Sequence, residues 1–371
     1  MTPFRAAWGR GADWRQAVAA CAAGLRDPGA LAGPGFVYVG EALADALDLI
    51  VSGLVEATGV ADWVGTAGAG VCASGREFQH EGAIVALLAD LPANSYRLFD
   101  GLRPGEPLPP AIGAWTGSEL TGVGVVHGDP RERGLPEVIA QLGRDSGAFL
   151  VGGLSSAATN PVQIAGRPSE GGLSGLLMSA EVPVVTGITQ GCVPIGPTHR
   201  VTAGHGPWVF GLDGRAATDV LHEAIGDILT RRPAGISGYI HAALPIAGSD
   251  RADYLVRNLL AVDQRRGAIA LGQELRCGDQ LIFVKRDGAA AQTDLRRMVR
   301  DLRARAAGRT IRGALYHSCV ARGSRMFGPD SAELRLIEEE LGPVPLVGFF
   351  TDGEIFHDRL YSYTGVLTLF L

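Results

Sequence analysis

The stretch VPLVGFFTDGEIF, Val344 to Phe356, carries an apolar strand into an acidic turn that contains glycine. An apolar strand reaching Val-Gly occurs twice more, in DWVGTAGAG (Asp62–Gly70) and AFLVGGLSS (Ala148–Ser156). After a polar interval, each is followed by a second strand of small and apolar residues: GAIVALLADL, GGLSGLLMSA and TGVLTLFL. This recurrence predicts one structural unit used three times.

Matching elements also precede each Val-Gly strand. A short strand (GFVYVG, GVGVVHGD or ALYHSCVARG) is followed by a helical segment whose apolar residues are three and four positions apart. The order strand–helix–strand–turn–strand therefore occurs at about residues 36–92, 122–180 and 313–371. We predict an α+β fold of duplicated strand–helix–strand–hairpin modules, forming mostly antiparallel sheets flanked by helices. The turn Asp352–Glu354 is then expected to be a hairpin.

The segment RRPAG near Pro233 is the predicted domain boundary, because Pro and Gly punctuate domain linkers. The expected organisation is an N-terminal helical segment at 1–29 and two domains at 30–232 and 233–371. Helices are expected at Gly214–Arg232 and just before the third module, and a Pro-rich surface loop at Asp100–Gly113.

Composition narrows the class of function. The net charge of −6 argues against broad binding to nucleic acid or anionic membranes. No apolar run is long enough to predict a transmembrane helix. The five cysteines are scattered without a CxxC pair, which is typical of reduced thiols in a cytoplasm and predicts no structural zinc site. P-loop, HExxH, GxSxG and EF-hand patterns are absent from the sequence, and no enzyme is predicted.

Two motifs identify a family resemblance. The chain resembles the FIST family over nearly its whole length. The resemblance is carried by two motifs: GCVPIGPTHRVT (Gly191–Thr202), and HSCVARG (His317–Gly323) followed by VPLVGFFTDGEI. Members of this family are two-part sensory domains found in bacterial signal transduction and in some eukaryotic F-box proteins. The resemblance implies a cytoplasmic sensory protein that binds a small ligand, an amino acid or related metabolite. Because no kinase, receptor or F-box segment is fused to it, a separate signalling protein such as a histidine kinase is the expected partner.

The turn Asp352–Glu354 is the first candidate site. Gly353 can open backbone N–H groups towards a ligand, and the carboxylates of Asp352 and Glu354 could hold an ammonium group. Arg322 could then bind the carboxylate of the same ligand bidentately. The alternative is an ordinary hairpin turn with a solvated acid pair. Neither earlier module has an acid at the position of Glu354, which favours a function for it.

The segment HSCVARG is the second candidate. Cys319 ends the strand before the turn of Arg322 and Gly323, where the arginine could lower the pKa of the thiol. Three interpretations stay open: a buried structural cysteine, the wall of a ligand pocket, or a nucleophile. A nucleophile at Cys319 would make the protein a cysteine-dependent enzyme. A further alternative is an interaction scaffold, which would bind no small molecule.

The run TQGCVPIGPTHR supplies the remaining candidates. Gln190 and Cys192 are predicted to form the opposite wall of a cleft between the two domains, unless the run is only a rigid crossover. Because some family members are described as haem-binding gas sensors, His127, His199 and His317 are possible axial ligands. Without a CxxCH site, such a haem would be non-covalent.

Overall fold

The computed structural model describes residues 4–26, 33–231, 238–246 and 254–371. It has mixed content, with 27% helix and 43% strand. The chain divides into two compact units: a larger one made of Met1–Gln190 with Gln292–Leu371, and a smaller one made of Gly191–Ala291. The boundary predicted near Pro233 lies outside the described residues.

The helices are α1 (Trp14–Leu25), α2 (Leu47–Thr58), α3 (Pro110–Ser118), α4 (Leu135–Ser146), α5 (Ala217–Arg231), α6 (Gly288–Arg305), α7 (Ser324–Phe327) and α8 (Ala332–Leu341), with a 3-10 helix at Glu41–Ala46. The strands of the larger unit before the smaller one are β1 (Arg5–Arg10), β2 (Gly35–Gly40), β3 (Trp63–Gly68), β4 (Gly70–Ala73), β5 (Arg76–Gln79), β6 (Ala83–Leu88), β7 (Tyr96–Leu102), β8 (Thr121–Gly128), β9 (Phe149–Leu154), β10 (Gln163–Ala165), β11 (Arg167–Ser169), β12 (Leu173–Ser179) and β13 (Val184–Gln190). The smaller unit contains β14 (Cys192–His205), β15 (Trp208–Leu212), β16 (Arg215–Ala216), β17 (Ile240–Pro245), β18 (Tyr254–Asp263), β19 (Ala268–Leu271) and β20 (Gln280–Arg286). The chain ends with β21 (Gly313–Cys319), β22 (Leu346–Thr351), β23 (Glu354–His357), β24 (Arg359–Tyr361) and β25 (Thr364–Phe370).

The three predicted modules are present and share one topology. In each, the first two strands are parallel and the last strand pairs antiparallel with the first: β2 with β3 and β6, β8 with β9 and β12, and β21 with β22 and β25. A further strand extends each closing strand, namely β1, β7 and β13. The fold-class prediction is therefore confirmed.

Between its second and last strands, each module sends a hairpin to another module. The hairpin β4–β5 of the first module pairs with β22 of the third. The hairpin β10–β11 of the second pairs with β3 of the first, and β23–β24 of the third pairs with β9 of the second. The result is three six-stranded sheets linked cyclically: β1-β6-β2-β3-β10-β11, β7-β12-β8-β9-β23-β24 and β13-β25-β21-β22-β4-β5.

The Val-Gly motif owes its glycine to the close approach of the two parallel strands. Gly65, Gly152 and Gly348 lie opposite Val37, Val126 and Tyr316 respectively. A Cβ atom at any of the three glycines would overlap the carbonyl oxygen of the residue opposite. No larger residue fits there without moving backbone, so the repeated glycine is a packing requirement of the module.

Helices cover the sheets of the first two modules. Ala17, Val18, Cys21 and Leu25 of α1 and the apolar face of α2 share one core with strands of the first sheet. The cap of α1 is Asp13, whose carboxylate accepts from the backbone N–H of Gln16 at 3.0 Å. Helix α4 packs in the same way on the second sheet. The smaller unit has its own core, in which α5 packs against strands of an antiparallel sheet. Strand β14, at one end of that sheet, also pairs with β15, the strand before the short β16 at the other end.

Two expectations were wrong. The turn Asp352–Gly353 is not a hairpin, because β22 belongs to the third sheet and β23 to the second; the hairpin of this module is β23–β24. The Pro-rich stretch Asp100–Gly113 is a loop only in its middle, since β7 extends to Leu102 and α3 begins at Pro110. Proline at the first helical position satisfies the geometry of a helix start, so Pro110 initiates a helix. The predicted helices α1, α5 and α6 are confirmed.

Candidate functional site

The candidate site lies at the carboxyl ends of the parallel strands β21 and β22. The loop after β21, the short helix α7 and the start of α8 converge there. The hairpin β4–β5, sent from the first module, lies alongside because β4 pairs with β22. The carboxyl ends of parallel strands are a usual place for ligands in sheets of this kind.

Arg322 is the central residue of this site. Its side chain is fully buried, and its Nε donates to Oε1 of Glu333 at 2.8 Å. Neither Nη1 nor Nη2 has a hydrogen-bond partner. Burial by itself would lower the pKa of Arg322, but the carboxylate of Glu333 raises it above its ordinary value, so the guanidinium stays charged. A buried cation with two unpaired amino groups is costly unless something binds them.

Glu333, in the first turn of α8, accepts hydrogen bonds from several groups of the protein. Besides Arg322, it accepts hydrogen bonds from the hydroxyl of Tyr316 at 2.6 Å, the backbone N–H of Gly323 at 2.8 Å and the hydroxyl of Ser318 at 3.2 Å. The carboxylate is 0% exposed. It fixes the guanidinium through Nε alone, which leaves the outer edge of Arg322 for another group.

Helix α7 covers the guanidinium. The ring centroid of Phe327 lies 4.9 Å from Cζ of Arg322, a cation–π arrangement. Phe327 is buried, whereas Ser324 and Arg325 on the same helix are exposed. Arg322 is therefore shielded from solvent by one turn of chain.

The hairpin from the first module is hydrogen-bonded to this region. The hydroxyl of Ser324 donates to Oε1 of Gln79 at 3.1 Å, and the backbone N–H of Glu77 donates to the hydroxyl of Ser331 at 2.9 Å. Burial, and then the nearby carboxylate of Glu333, raise the pKa of Glu77 to about 7. The site is thus assembled from two modules, with Gln79 and Glu77 supplied by the hairpin.

A small pocket lies close to Gly323. Gly323 packs directly against the side chains of Gln79 and Phe350, both of which line the pocket. Its volume is about 40 Å³. That volume admits water but is too small for a whole amino acid. The lining residues are Ala69, Gly70, Gln79, His80, Val320, Arg325 and Phe350.

The acids of the predicted turn have different environments. Asp352 is exposed, whereas Glu354 is 0% exposed and accepts hydrogen bonds from the hydroxyls of Thr364 at 2.7 Å and Thr351 at 3.1 Å, and from the backbone N–H of Thr364. Gly353 donates to Thr351 at 2.8 Å. The alternative of a solvated acid pair is therefore wrong for Glu354. Burial raises the pKa of Glu354 to about 7 and also raises that of Asp352.

Cys319 is buried at the end of β21. Burial and the carboxylate of Glu354 raise the pKa of its thiol well above the ordinary value; Arg322 acts in the opposite sense but is outweighed. The expectation that Arg322 activates Cys319 as a thiolate is wrong, because the guanidinium is paired with Glu333 and the thiol is desolvated.

The run around Gln190 is divided between the units. Gln190 ends β13, lies opposite Thr364, and its backbone N–H donates to Oδ2 of Asp294 at 2.8 Å. Cys192 begins β14 in the smaller unit and is buried. Glu354 accepts a hydrogen bond from Thr364, the residue opposite Gln190, and its carboxylate raises the pKa of Cys319. Arg322 lies near enough to Cys319 and Glu354 to act on both pKa values in the opposite direction.

Three equivalent residues, one from each module, meet at the centre of the larger unit. Tyr38, His127 and His317 each follow the residue opposite the Val-Gly glycine. The hydroxyl of Tyr38 lies 2.9 Å from Nε2 of His317 and 3.3 Å from Nε2 of His127. Burial lowers the pKa of both histidines, that of His317 to about 3. Because one hydroxyl donates only one proton, at most one of the two neutral imidazoles accepts a hydrogen bond from Tyr38.

These histidines do not fit axial ligation of a haem. The rings of His127 and His317 pack at 6.0 Å from each other, and their free Nδ1 atoms are buried. In the smaller unit, Nδ1 of His199 is 2.7 Å from Asp213, and its Nε2 is also buried. Among the described residues, no group of three or more His, Cys, Asp or Glu could hold a metal ion. No described helix has both the length and the apolar character needed to cross a membrane.

Sequence reasoning identified Arg322 and Gly323 but missed Glu333, Glu77, Gln79 and Phe327. The signal for Glu333 was an acid in the first turn of a predicted helix that begins just after the Arg-Gly turn. Glu77 and Gln79 had no such signal, because they come from a different module and meet Arg322's loop only through the exchanged hairpin.

Comparison with known proteins agrees with this architecture. A model of the FIST N domain matches residues 35–215, and a model of the FIST C domain matches residues 217–357. Together these define a two-part sensory class of protein, since FIST domains are generally associated with sensory and signal-transduction functions. The chain belongs to the FIST family.

Two similar proteins come from mycobacteria. The chain is 30% identical to the uncharacterized protein Rv0628c of Mycobacterium tuberculosis (strain ATCC 25618 / H37Rv), over 83% of each chain. It is 35% identical to the uncharacterized protein Mb0898c of Mycobacterium bovis (strain ATCC BAA-935 / AF2122/97), over 51% of this chain and 50% of that protein. The first of these matches extends over most of both chains.

Proposed function

We propose that this FIST protein is a sensor that binds a small carboxylate-bearing metabolite, such as an amino acid, at Arg322. The observation that carries the proposal is the fully buried guanidinium, held at Nε by Glu333 while both Nη atoms lack a partner. A carboxylate matches the two parallel N–H donors at that edge. Glu77, with its raised pKa and its buried, unpartnered Oε1, is the nearby acid that could accept from the ammonium group of an amino acid.

The signal would pass through the hairpin β4–β5, which belongs to the first module and pairs with β22 of the third. Gln79 and Glu77 belong to the first module, while Arg322 and Ser324 belong to the third. A ligand bound here therefore changes contacts between modules, and this is the differential contact that a conformational signal needs. The expected receiver is a separate signalling protein, such as a histidine kinase, in the cytoplasm. All residues of the proposed site belong to the larger unit.

The test is a thermal-shift panel of free amino acids, small carboxylates and haem, followed by calorimetry of any ligand found. A ligand that binds only the folded state adds about 2.7 kcal/mol at 100 times its Kd, a shift that is easily measured. The variant Arg322→Lys keeps a cation for Glu333 but removes the paired Nη donors, so the shift should disappear.

Two further variants make the panel decisive. Arg312→Lys is the matched control, because Arg312 is also buried and paired, with Asp90 at 2.8 Å, and its loss should leave the ligand shift unchanged. Gln79→Ala, at a partly exposed residue, should weaken binding with little loss of fold. A carboxylate-induced shift that survives in Arg322→Lys would contradict the proposal, as would a panel that responds to haem alone. Efficient alkylation of Cys319 without any ligand shift would instead favour enzyme chemistry.

A further inference from the structure

Helix α7 is built between two glycines that can act as hinges. Gly323 has φ 53° and ψ −140°, and Gly328 has φ 98° and ψ −178°, conformations that other residues rarely adopt. Asp330 and Ser331, which follow, also have positive φ angles of 61° and 57°. The four residues of α7 are thus bounded on both sides by backbone that is unusual for most side chains.

The attachment of α7 to the rest of the unit is slight. Its backbone hydrogen bonds are local, from Met326 and Phe327 to Gly323 and from Gly328 to Ser324. Outside the helix, the hydroxyl of Ser324 donates to Gln79, and the ring of Phe327 is buried over Arg322. No strand pairing of the sheets includes α7. Movement about the glycines would therefore break one side-chain hydrogen bond and withdraw one ring, without disturbing a sheet.

In the closed arrangement a metabolite has no access to Arg322, whose side chain is fully buried. At about 40 Å³ the adjacent pocket cannot hold a metabolite with a carboxylate group, and Arg322 does not line it. Removing Phe327 from above the guanidinium would join the unpaired Nη atoms to solvent on the side of α7. Closure over a bound oxyanion would then exclude water from the ion pair, which strengthens it.

We propose that α7 is a hinged lid over Arg322, closed here by Phe327, and that it opens to admit a small oxyanion and closes over it. The ligand part of this proposal rests on the proposed function; the lid itself does not. The buried ring of Phe327 holds the lid closed, and the hydrogen bond from Ser324 to Gln79 is a second, weaker contact that does the same.

The experiment measures opening without a ligand. Phenylglyoxal condenses with the Nη atoms of arginine, so it can modify Arg322 only when the lid is open. Modification of individual arginines is followed over time by peptide mass spectrometry in the full chain. Arg312 is the internal reference, because it too is buried, paired with an acid and stacked on a phenylalanine ring, with Cζ 4.8 Å from the centroid of Phe4.

We expect Phe327→Ala to raise the modification rate of Arg322 at least tenfold and to leave that of Arg312 unchanged. Ser324→Ala, at an exposed residue, should raise it by a few-fold with no change in Tm. Phe99→Ala, another buried phenylalanine of the larger unit, is the matched control for general destabilisation and should accelerate both arginines together. Equal acceleration of Arg322 and Arg312 in Phe327→Ala, or no acceleration in either lid variant, would overturn the lid.

The two proposals fail separately. If Phe327→Ala selectively exposes Arg322 but no carboxylate protects it, the lid is supported and the proposed ligand is not. If a carboxylate protects Arg322 while the lid variants leave its modification rate unchanged, the ligand site is supported and the lid is overturned.

Discussion

The hydroxyl of Tyr38 lies 2.9 Å from Nε2 of His317, although 279 positions separate the two residues in the chain. They occupy equivalent places in the first and third modules, and His127 takes the same place in the second. Phe349 stacks on Tyr38 with ring centroids 4.9 Å apart. The three modules therefore meet at a buried polar centre packed against the ring of Phe349, where a lost hydrogen bond cannot be replaced by water.

Replacing Tyr38 by Phe should destabilise the protein by about 1–3 kcal/mol, because both imidazoles lose their shared partner in a buried site. Urea unfolding measures the change. Tyr96→Phe is the matched control: its hydroxyl donates to Asp62 at 2.8 Å, but that pair is only partly buried, so the loss should be smaller. Equal losses of stability would show that the Tyr38 hydroxyl contributes no more to stability than the partly buried Tyr96 hydroxyl.

Replacing Gly348 by Ala should cost about 3 kcal/mol or more, or prevent folding, because the new Cβ overlaps the carbonyl oxygen of Tyr316 and only backbone movement relieves the overlap. The control is Gly113→Ala in helix α3, where nothing lies within 4 Å of the added atom. That change should be neutral or stabilise by up to about 1 kcal/mol. The melting temperatures of the two variants make the comparison, and a mild effect of Gly348→Ala would remove the packing explanation for the Val-Gly motif.

Glu354 should make stability fall as the pH rises. Its pKa is raised to about 7, so between the ordinary carboxyl pKa of about 4.5 and pH 7 the folded protein holds a proton that the unfolded chain has lost. The stabilisation from this proton is full below about pH 4.5 and is lost as the pH rises through 7. Glu354→Gln mimics the protonated group. Its free energy of unfolding should rise relative to that of the wild type by about 3 kcal/mol across this range, since one pKa unit corresponds to about 1.4 kcal/mol.

The control for this pH effect has the opposite sign. Hydrogen bonds from Arg300 and Arg296 lower the pKa of Glu340 to about 2. Its contribution is complete above about pH 4.5 and is lost as the pH falls towards 2, so Glu340→Gln should be less stable than the wild type by a constant amount from pH 5 to 8. Denaturant midpoints at pH 5, 6, 7 and 8 give both curves. Parallel curves for the wild type and Glu354→Gln would contradict the raised pKa.

Iodoacetamide should modify Cys277 first. Cys277 is the exposed cysteine, whereas Cys21, Cys72, Cys192 and Cys319 are buried. Burial raises the pKa of Cys319, which leaves little reactive thiolate near neutral pH. Mass spectrometry of peptides over time gives the order of reaction. Fast labelling of Cys319 in the folded protein would restore the hypothesis of a nucleophile.

Several elements could be predicted from local pattern alone. A helical segment was predicted within residues 1–29, where α1 forms, and the recurrence of Val-Gly predicted three modules with the correct order of strand and helix. The position of Arg322 at a strand end, next to a glycine, was also enough to nominate it. These features depend on residues that are close in the chain.

The sequence by itself determined the module, because its glycine, its apolar strands and its helix are local requirements that each copy satisfies separately. Only the tertiary structure decided which hairpin pairs with which strand, so that β4–β5 leaves its own sheet for β22. Hairpin and recipient are far apart in sequence, and no local pattern encodes that choice. The same long-range pairing buries Glu354, places Gln79 beside Ser324, and leaves the Nη atoms of Arg322 unpaired beneath Phe327. Burial and unpaired donors are properties of the assembled fold, which is why the chemistry of this site could not be predicted from the chain alone.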